Sequence, residues 1–133
     1  QKTKQLLIQL HSVDDLARVL QKNIATGLLR TEDLDWVETK VQRLFQQAAF
    51  VEAYSPQNKR LSSELILKGG ATLEVDRMVL SEKGVYLIVL FHKGDEGVQR
   101  LKKLLRIGQT AGLKNVQGRL VDLQDELIKE VLI

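Results

Sequence analysis

The hydrophobic pattern of the chain is densest at residues 85–91, where seven consecutive positions carry aliphatic or aromatic side chains. Gly84 precedes this run, and Gly94 follows it after two polar residues. A strand that is apolar on both faces has to be covered on both faces. The pattern therefore predicts the central strand of a sheet, with other elements packed above and below it.

Apolar residues at helical spacing predict two helices before this strand. The first covers residues 13–26, where Ser12 is a candidate N-cap and Asp14 and Asp15 suit the first turn. The second covers residues 32–53 and has the longest apolar stripe of the chain. Because the connection is short, we expect an antiparallel helical hairpin. Residues 1–10 are compatible with either a strand or a helix.

Residues 54–60 form the clearest loop and contain the only proline. Residues 61–67 are ambiguous between helix and strand, and glycines follow them. Residues 72–80 alternate between apolar and polar side chains, and residues 81–84 suit a tight turn. We therefore expect a β-hairpin in which residues 72–80 pair with residues 85–92.

The chain after residue 94 predicts a further helix and a strand. Asp95 is a candidate N-cap, leucines at helical spacing follow it, and Gly112 ends the helix. Residues 116–123 predict a strand in which Arg119 and Val121 share one face, opposite to Leu120. Residues 124–133 begin with a helical pattern and end with a strand pattern.

These elements predict one α+β domain over residues 1–133, with a helical part at about 1–54 and a sheet-containing part at about 61–133. The helical hairpin packs on a small, mainly antiparallel sheet of three or four strands, and a basic amphipathic helix follows the central strand. A single core is expected to contain the following residues: Val41, Leu44, Phe45, Leu87, Val89, Leu101 and Leu105. Because the chain begins with Gln1 and stops at Ile133 within an apolar run, we expect it to be excised from a longer protein.

The composition excludes several classes of site. The chain has 133 residues and contains no cysteine, which rules out disulfides, thiolate metal sites and cysteine nucleophiles. No apolar run reaches the roughly 18 residues that a membrane-spanning helix needs, and no signal-peptide pattern opens the chain. These features predict a cytoplasmic protein.

The net charge of +3 is small, but its distribution is uneven. Residues 97–121 contain six basic and no acidic side chains, whereas acidic residues outnumber basic ones elsewhere. One interpretation is a solvated helix face, and the other is a surface for nucleic acid or another anionic partner. Residues 97–133 lack the aromatic side chains that stack on bases. The candidate contact residues are Arg100, Lys103, Arg106, Lys114 and Arg119.

The remaining candidate motifs match no complete site. Two glycine-containing loops, at residues 68–72 and 93–97, lack the pattern of a phosphate-binding loop. His11 and His92 lack the further nitrogen, sulfur or carboxylate ligands, at a suitable spacing, that a zinc site needs. As a catalytic base His92 is the better candidate of the two, because it lies at the end of the predicted strand, where sites often form. The sequence therefore predicts no metal, no cofactor and no small-molecule substrate.

Aromatic residues of the second helix are candidates for a protein interface. Trp36 lies off the apolar stripe, where it either widens the core or meets a partner, and tryptophan is enriched at interface hot spots. Phe50 and Tyr54 lie near the other end of the same predicted helix and offer the same choice.

The sequence favours a non-catalytic module for protein interaction, self-association or assembly. The alternative is a domain that binds nucleic acid or an anionic surface through residues 97–121. An enzyme with a site near His92 is the third hypothesis, and a concave pocket with convergent polar groups would support it.

Overall fold

A computed structural model of the chain describes residues 2–66, 70 and 72–133, and it has an α+β fold. The first half is helical. Helix α1 comprises Lys2–Gln9, α2 comprises Leu16–Ala25, α3 comprises Leu34–Leu44 and α4 comprises Ala48–Ala53. Single 3-10 turns, Val13–Asp15 and Thr31–Asp33, lead into α2 and α3. Helical structure thus begins at residues 13 and 31, close to the two predicted starts, although the α-helices begin only at Leu16 and Leu34 and the Ser12 side chain makes no capping hydrogen bond. Residues 2–9 are helical.

The predicted continuous helix over residues 32–53 is wrong, because the chain breaks between α3 and α4. Gln47 has an extended backbone (φ −94°, ψ 123°), which no helix can contain. Its side-chain Nε2 donates to the carbonyl oxygen of Glu126 at 2.7 Å. This long-range contact joins the break to the far end of the chain.

The main sheet has five strands, one more than the upper number expected. These are β1 (Lys59–Arg60), β4 (Arg77–Leu80), β5 (Tyr86–Phe91), β6 (Val116–Asp122) and β7 (Leu127–Val131), in the spatial order β1-β4-β5-β6-β7. The apolar run forms the central strand β5, as predicted. The β5–β6 pair is parallel and the other three pairs are antiparallel.

The predicted hairpin is correct only for residues 77–80 of its first strand, which pair with β5. Strands β4 and β5 pair in an antiparallel register that places Arg77 opposite Val89. Residues 72–74 do not continue this strand, because β3 (Thr72–Glu74) pairs with β2 (Glu64–Ile66) in a separate ribbon. Between the two pieces, Asp76 Oδ2 accepts the backbone N–H of Phe91 at 2.7 Å. At this edge of β5, the Asp76 carboxylate thus accepts the hydrogen bond that the backbone of a continued strand would otherwise accept.

The sheet separates two apolar cores, so the single core expected from the sequence is wrong. Leu87 and Val89 face the helical layer, where they pack with Val41 and Leu44. On the opposite face, Ile88 and Leu90 pack against α5 (Asp95–Thr110), together with the buried residues Leu101 and Leu105. Alternate residues of β5 thus belong to different cores, which is why the strand is apolar throughout.

Glycine allows α5 to lie close to the sheet. A Cβ atom on Gly118 of β6 would lie 2.8 Å from Leu101 Cδ2 and 2.9 Å from Leu101 Cγ. Gly97 of α5 is similarly close to Leu120 of β6, whose Cδ1 would be 2.9 Å from the added carbon. The position of α5 therefore depends on the small volume of these two residues.

Arg77 joins the sheet to the helical layer. It is completely buried, and its guanidinium donates to the carbonyl oxygens of Leu10, His11 (2.7 Å) and Ala53 (3.2 Å). The guanidinium carbon also lies 3.9 Å from the centre of the Tyr54 ring. Burial lowers the pKa of Arg77 to about 10, so the side chain is still a cation at neutral pH.

None of the helices described by the structure has both the length and the apolar character required to cross a lipid bilayer.

Candidate interaction surfaces

The outer face of α5 carries the basic residues that the sequence singled out. Leu101 and Leu105 are buried on the inner face, while Arg100, Lys103 and Arg106 are exposed on the outer one. Asp95 and Glu96 begin the helix, where their charge complements the positive end of the helix dipole. Lys114 is exposed in the turn after the helix.

These four cations have no acidic partner within the part of the chain that the structure describes. By contrast, the exposed Arg18, Arg30 and Arg43 all lie within 4.0 Å of a carboxylate oxygen. The outer face of α5 therefore has uncompensated positive charge. We call Arg100, Lys103, Arg106 and Lys114 the α5 basic face.

Arg119 does not belong to this surface, so its assignment as an anion contact is wrong. It is 2% exposed and lies on the opposite face of the sheet, towards α4. Its Nη2 donates to Glu52 Oε2 at 3.1 Å and to Gln117 Oε1 at 3.3 Å, and Nη1 donates to the carbonyl oxygen of Gly118. The strand alternation contained the signal, since Arg119 shares a face with the buried Val121.

Phe50 and Tyr54 are also unavailable to a partner, because each is 1% exposed. Their rings stack at a centroid distance of 4.7 Å, and Phe45 packs edge-on against both. The Tyr54 hydroxyl donates to the carbonyl oxygen of Leu7 at 2.7 Å. Burial raises the pKa of Tyr54 above its ordinary value. Two of the three interface candidates are therefore core residues.

Trp36 remains a surface residue, with 47% of its area exposed. Its indole Nε1 donates to Asp33 Oδ1 at 3.4 Å. Asp33 also accepts from Lys2 Nζ at 2.8 Å and from the backbone N–H of Arg30 at 3.1 Å. The Lys2 ammonium, followed by the Arg30 N–H, holds the pKa of Asp33 far below its usual range. Trp36 is thus exposed but held in place at the start of α3.

An apolar groove between α2 and α3 was not predicted from the sequence. It encloses about 440 Å³, and Leu16, Leu20, Ile24 and Leu34 contribute its apolar surface. Leu16 and Leu20 are nearly buried, while Val13 at one end of the groove is 45% exposed. Ala17 leaves the groove open because its side chain is short. The signal was present in the sequence as a wide apolar stripe on α2 that includes Ala17.

Trp36 does not line this groove. It lies two positions after Leu34, which is about 200° around the helix. The interface predicted at Trp36 and the groove are therefore separate surfaces.

A cleft lies at the carboxyl ends of the parallel strands β5 and β6. Two adjoining cavities of about 260 and 210 Å³ share His92 and Asp122 in their walls. The His92 ring Nδ1 lies 2.7 Å from the carbonyl oxygen of Lys93, and Asp122 Oδ1 accepts the backbone N–H groups of Gln124 and Asp125. The pocket that the enzyme hypothesis requires is therefore present, with several polar groups around it.

The hydrogen bonds of His92 and Asp122 in this cleft are made with nearby backbone groups. The contacts found among the described residues include no hydrogen bond between the His92 and Asp122 side chains. No cluster of three or more metal-ligating side chains occurs in the described ranges. Of the two glycine loops, residues 93–97 contain the start of α5, whereas residues 68, 69 and 71 of the other loop lie outside the described residues.

No protein-family model matches the chain, and no curated protein has significant sequence similarity to it.

Proposed function

We propose that the chain is a non-catalytic interaction module and that it docks a partner protein in the groove between α2 and α3. The observation that carries this proposal is the apolar surface of the groove. Amphipathic helices commonly bind such grooves through side chains at helical spacing. The exposed Val13 beside the nearly buried Leu16 and Leu20 provides a continuous apolar path from surface to floor.

Site-specific crosslinking in the native cells tests this proposal. A photoreactive amino acid is placed at Ala17, in the groove, or at Lys83, which is exposed in the β4–β5 turn and serves as a matched control position. We expect a discrete crosslinked protein, identified by mass spectrometry, from position 17 and not from position 83. Identical crosslinking patterns at the two positions, or none at position 17, would contradict the proposal.

The α5 basic face supports a second function, the binding of a nucleic-acid backbone. Arg100, Lys103 and Arg106 are spaced by three residues, which places neighbours about 4.5 Å apart along the helix axis. Uncompensated cations attract phosphates and release counterions when they bind. Because residues 97–133 contain no aromatic side chain, contact with phosphate is favoured over base stacking.

Charge reversal tests this second function. The variant Arg100→Glu, Lys103→Glu, Arg106→Glu is compared with Arg18→Glu, Lys22→Glu, Lys83→Glu, which makes the same charge change elsewhere. With three phosphate contacts, duplex affinity should fall roughly forty-fold between 50 and 200 mM salt. We expect only the α5 variant to lose binding to a duplex, measured by fluorescence anisotropy. Equal losses in both variants would contradict a defined site, and binding to anionic vesicles or polyglutamate but not to duplexes would identify a different partner.

A further inference from the structure

Charged side chains are unevenly distributed around the groove, which is lined by α2, α3 and the 3-10 turn before α2. Asp14 and Glu38 are the two charged residues in its walls. The cations of the same two helices do not line it, and they are Arg18, Lys22, Lys40 and Arg43. At 100° per residue, these cations lie on helix faces turned away from Leu20 and Leu34.

Both groove carboxylates lack an ion-pair partner among the residues described in the structure. Glu38 accepts only a hydrogen bond from the Gln42 amide, at 3.4 Å, and both acidic side chains are exposed. The groove therefore has an apolar floor and a negative rim.

The dimensions of the groove suit a helix of about three turns. One wall runs from Val13 in the 3-10 turn to Ile24 in α2, and at about 1.5 Å per residue these two positions lie roughly 16 Å apart. Leu16, Leu20 and Ile24 are spaced at i, i+4 and i+8, so they form a row of apolar side chains inclined by about 26° to the helix axis. Such a row packs against the apolar stripe of a second helix.

From these features we infer that the occupant of the groove is an amphipathic helix of a partner protein whose apolar stripe is flanked by lysine or arginine. This inference rests on the proposed docking function and specifies the chemistry of the partner. Opposite charges along the rim accelerate association and set the orientation of the docked helix. An uncharged helix would leave Asp14 and Glu38 without an ion-pair partner next to the apolar contact. An acidic helix would be repelled by these two carboxylates.

Designed peptides test this inference without knowledge of the natural partner. The first probe is a 14-residue amphipathic helix with a leucine stripe flanked by lysines, and the second has glutamates in place of the lysines. Binding is followed by fluorescence anisotropy, and the contact site is mapped by amide chemical shifts. We expect the lysine peptide to perturb the amides around Leu20 and Leu34 and the glutamate peptide to bind at least about tenfold more weakly at low salt.

Variants of the rim locate the electrostatic contribution. Asp14→Asn with Glu38→Gln should weaken binding of the lysine peptide about tenfold, and this difference should shrink as salt is raised. The matched control, Glu82→Gln with Glu130→Gln, neutralises two exposed carboxylates outside the groove and should leave the affinity unchanged. Circular dichroism melts of both variants confirm that the fold is retained.

The possible outcomes separate this inference from the docking function itself. Equal binding of the two peptides would overturn the basic partner but leave the groove as a docking site. Failure of both peptides, with a protein still crosslinked at position 17, would overturn the helical occupant alone. A concentration-dependent dimer that Ala17→Arg dissociates, detected by light scattering, would identify a second copy of the chain as the occupant and overturn the inference.

Discussion

The two faces of the five-stranded sheet are covered in different physical ways. Towards α1–α4, the sheet buries two arginines among its apolar residues, and Arg77 bonds directly to the ends of helical segments. Towards α5, the buried side chains are aliphatic or methionine, and glycines let the helix approach. The helical layer thus combines an apolar core with directional hydrogen bonds from Arg77, whereas the contact of α5 with the sheet is mainly apolar packing.

The two sides also differ in how charged side chains are paired. A buried cation needs hydrogen-bond acceptors around it. On the helical side, the partly exposed Glu52 carboxylate forms an ion pair with the buried Arg119. On the other side of the sheet, the exposed Arg100, Lys103 and Arg106 of α5 have no carboxylate partner among the described residues.

The largest effect is expected from Arg77→Met, which removes the polar attachment of the helical layer. Methionine retains much of the buried volume but leaves three carbonyl oxygens without this donor, at about 1–3 kcal/mol for each unsatisfied group. The free energy of unfolding, measured by urea denaturation, should fall by about 3 kcal/mol or more.

The control for this change is Arg18→Met on the exposed side of α2, which should alter stability by no more than about 0.5 kcal/mol. A loss of similar size in the two variants would mean that apolar packing alone positions the helical layer.

A smaller effect is expected from Gly118→Ala, which tests the packed face. The added methyl group would lie 2.8 Å from Leu101 Cδ2, and overpacking of this kind costs about 1–3 kcal/mol. In a Leu101→Ala background the same change should cost less, because the space is then available. Additive losses in the double-mutant cycle would show that α5 can shift freely over the sheet.

The smallest effect is expected from Asp33→Asn, which tests the polar contacts within the helical layer. Because the folded pKa of Asp33 is depressed, its ionised form stabilises the fold above the unfolded pKa of about 4. This stabilisation is lost as pH falls through and below 4. At pH 7 the variant should therefore have a lower melting temperature than the parent protein, and this difference in melting temperature should be smaller at pH 3. A difference that does not change with pH would mean that it is not caused by the charge of Asp33.

The central strand was predictable because both of its faces carry apolar side chains. Such a strand is stable only between two covering layers. The start of α5 was predictable to within one residue, since the leucines give a local signal, but Asp95 is the first residue of the helix and Gly94, not Asp95, is its N-cap. The parallel pairing of β5 with β6 was also predictable in principle, because a strand followed by a helix and a second strand favours a parallel crossover.

The break after α3 could not be read from the local pattern, since residues 32–53 keep a helical periodicity throughout. The contact of Gln47 with Glu126 spans 79 positions of sequence. For a comparable reason, the sequence predicts Arg119 as a surface contact and leaves Tyr54 open between the core and an interface. A charge count or a position near a helix end does not reveal that a tertiary partner, such as Glu52 or the Leu7 carbonyl, satisfies the polar atom inside the protein.

The α2–α3 groove was missed because a cavity is a property of two elements together. Each helix alone shows an ordinary apolar stripe, and the exposed part of that stripe depends on the distance between the helices. The separation of Asp14 and Glu38 from the cations also depends on how α2 and α3 pack together, because both helices contribute to the lining of the groove.

The contacts of Arg77 also bear on the order in which the chain folds. Its acceptors lie 24, 66 and 67 positions away along the sequence. The carbonyl groups at the ends of α1 and α4 therefore stay hydrated until β4 has reached them, after closure of long loops. Amides of the helical layer and of β4 should exchange with solvent through one shared opening event. The helical first half and the sheet-containing second half then form one cooperative unit, in which neither is completed without the other.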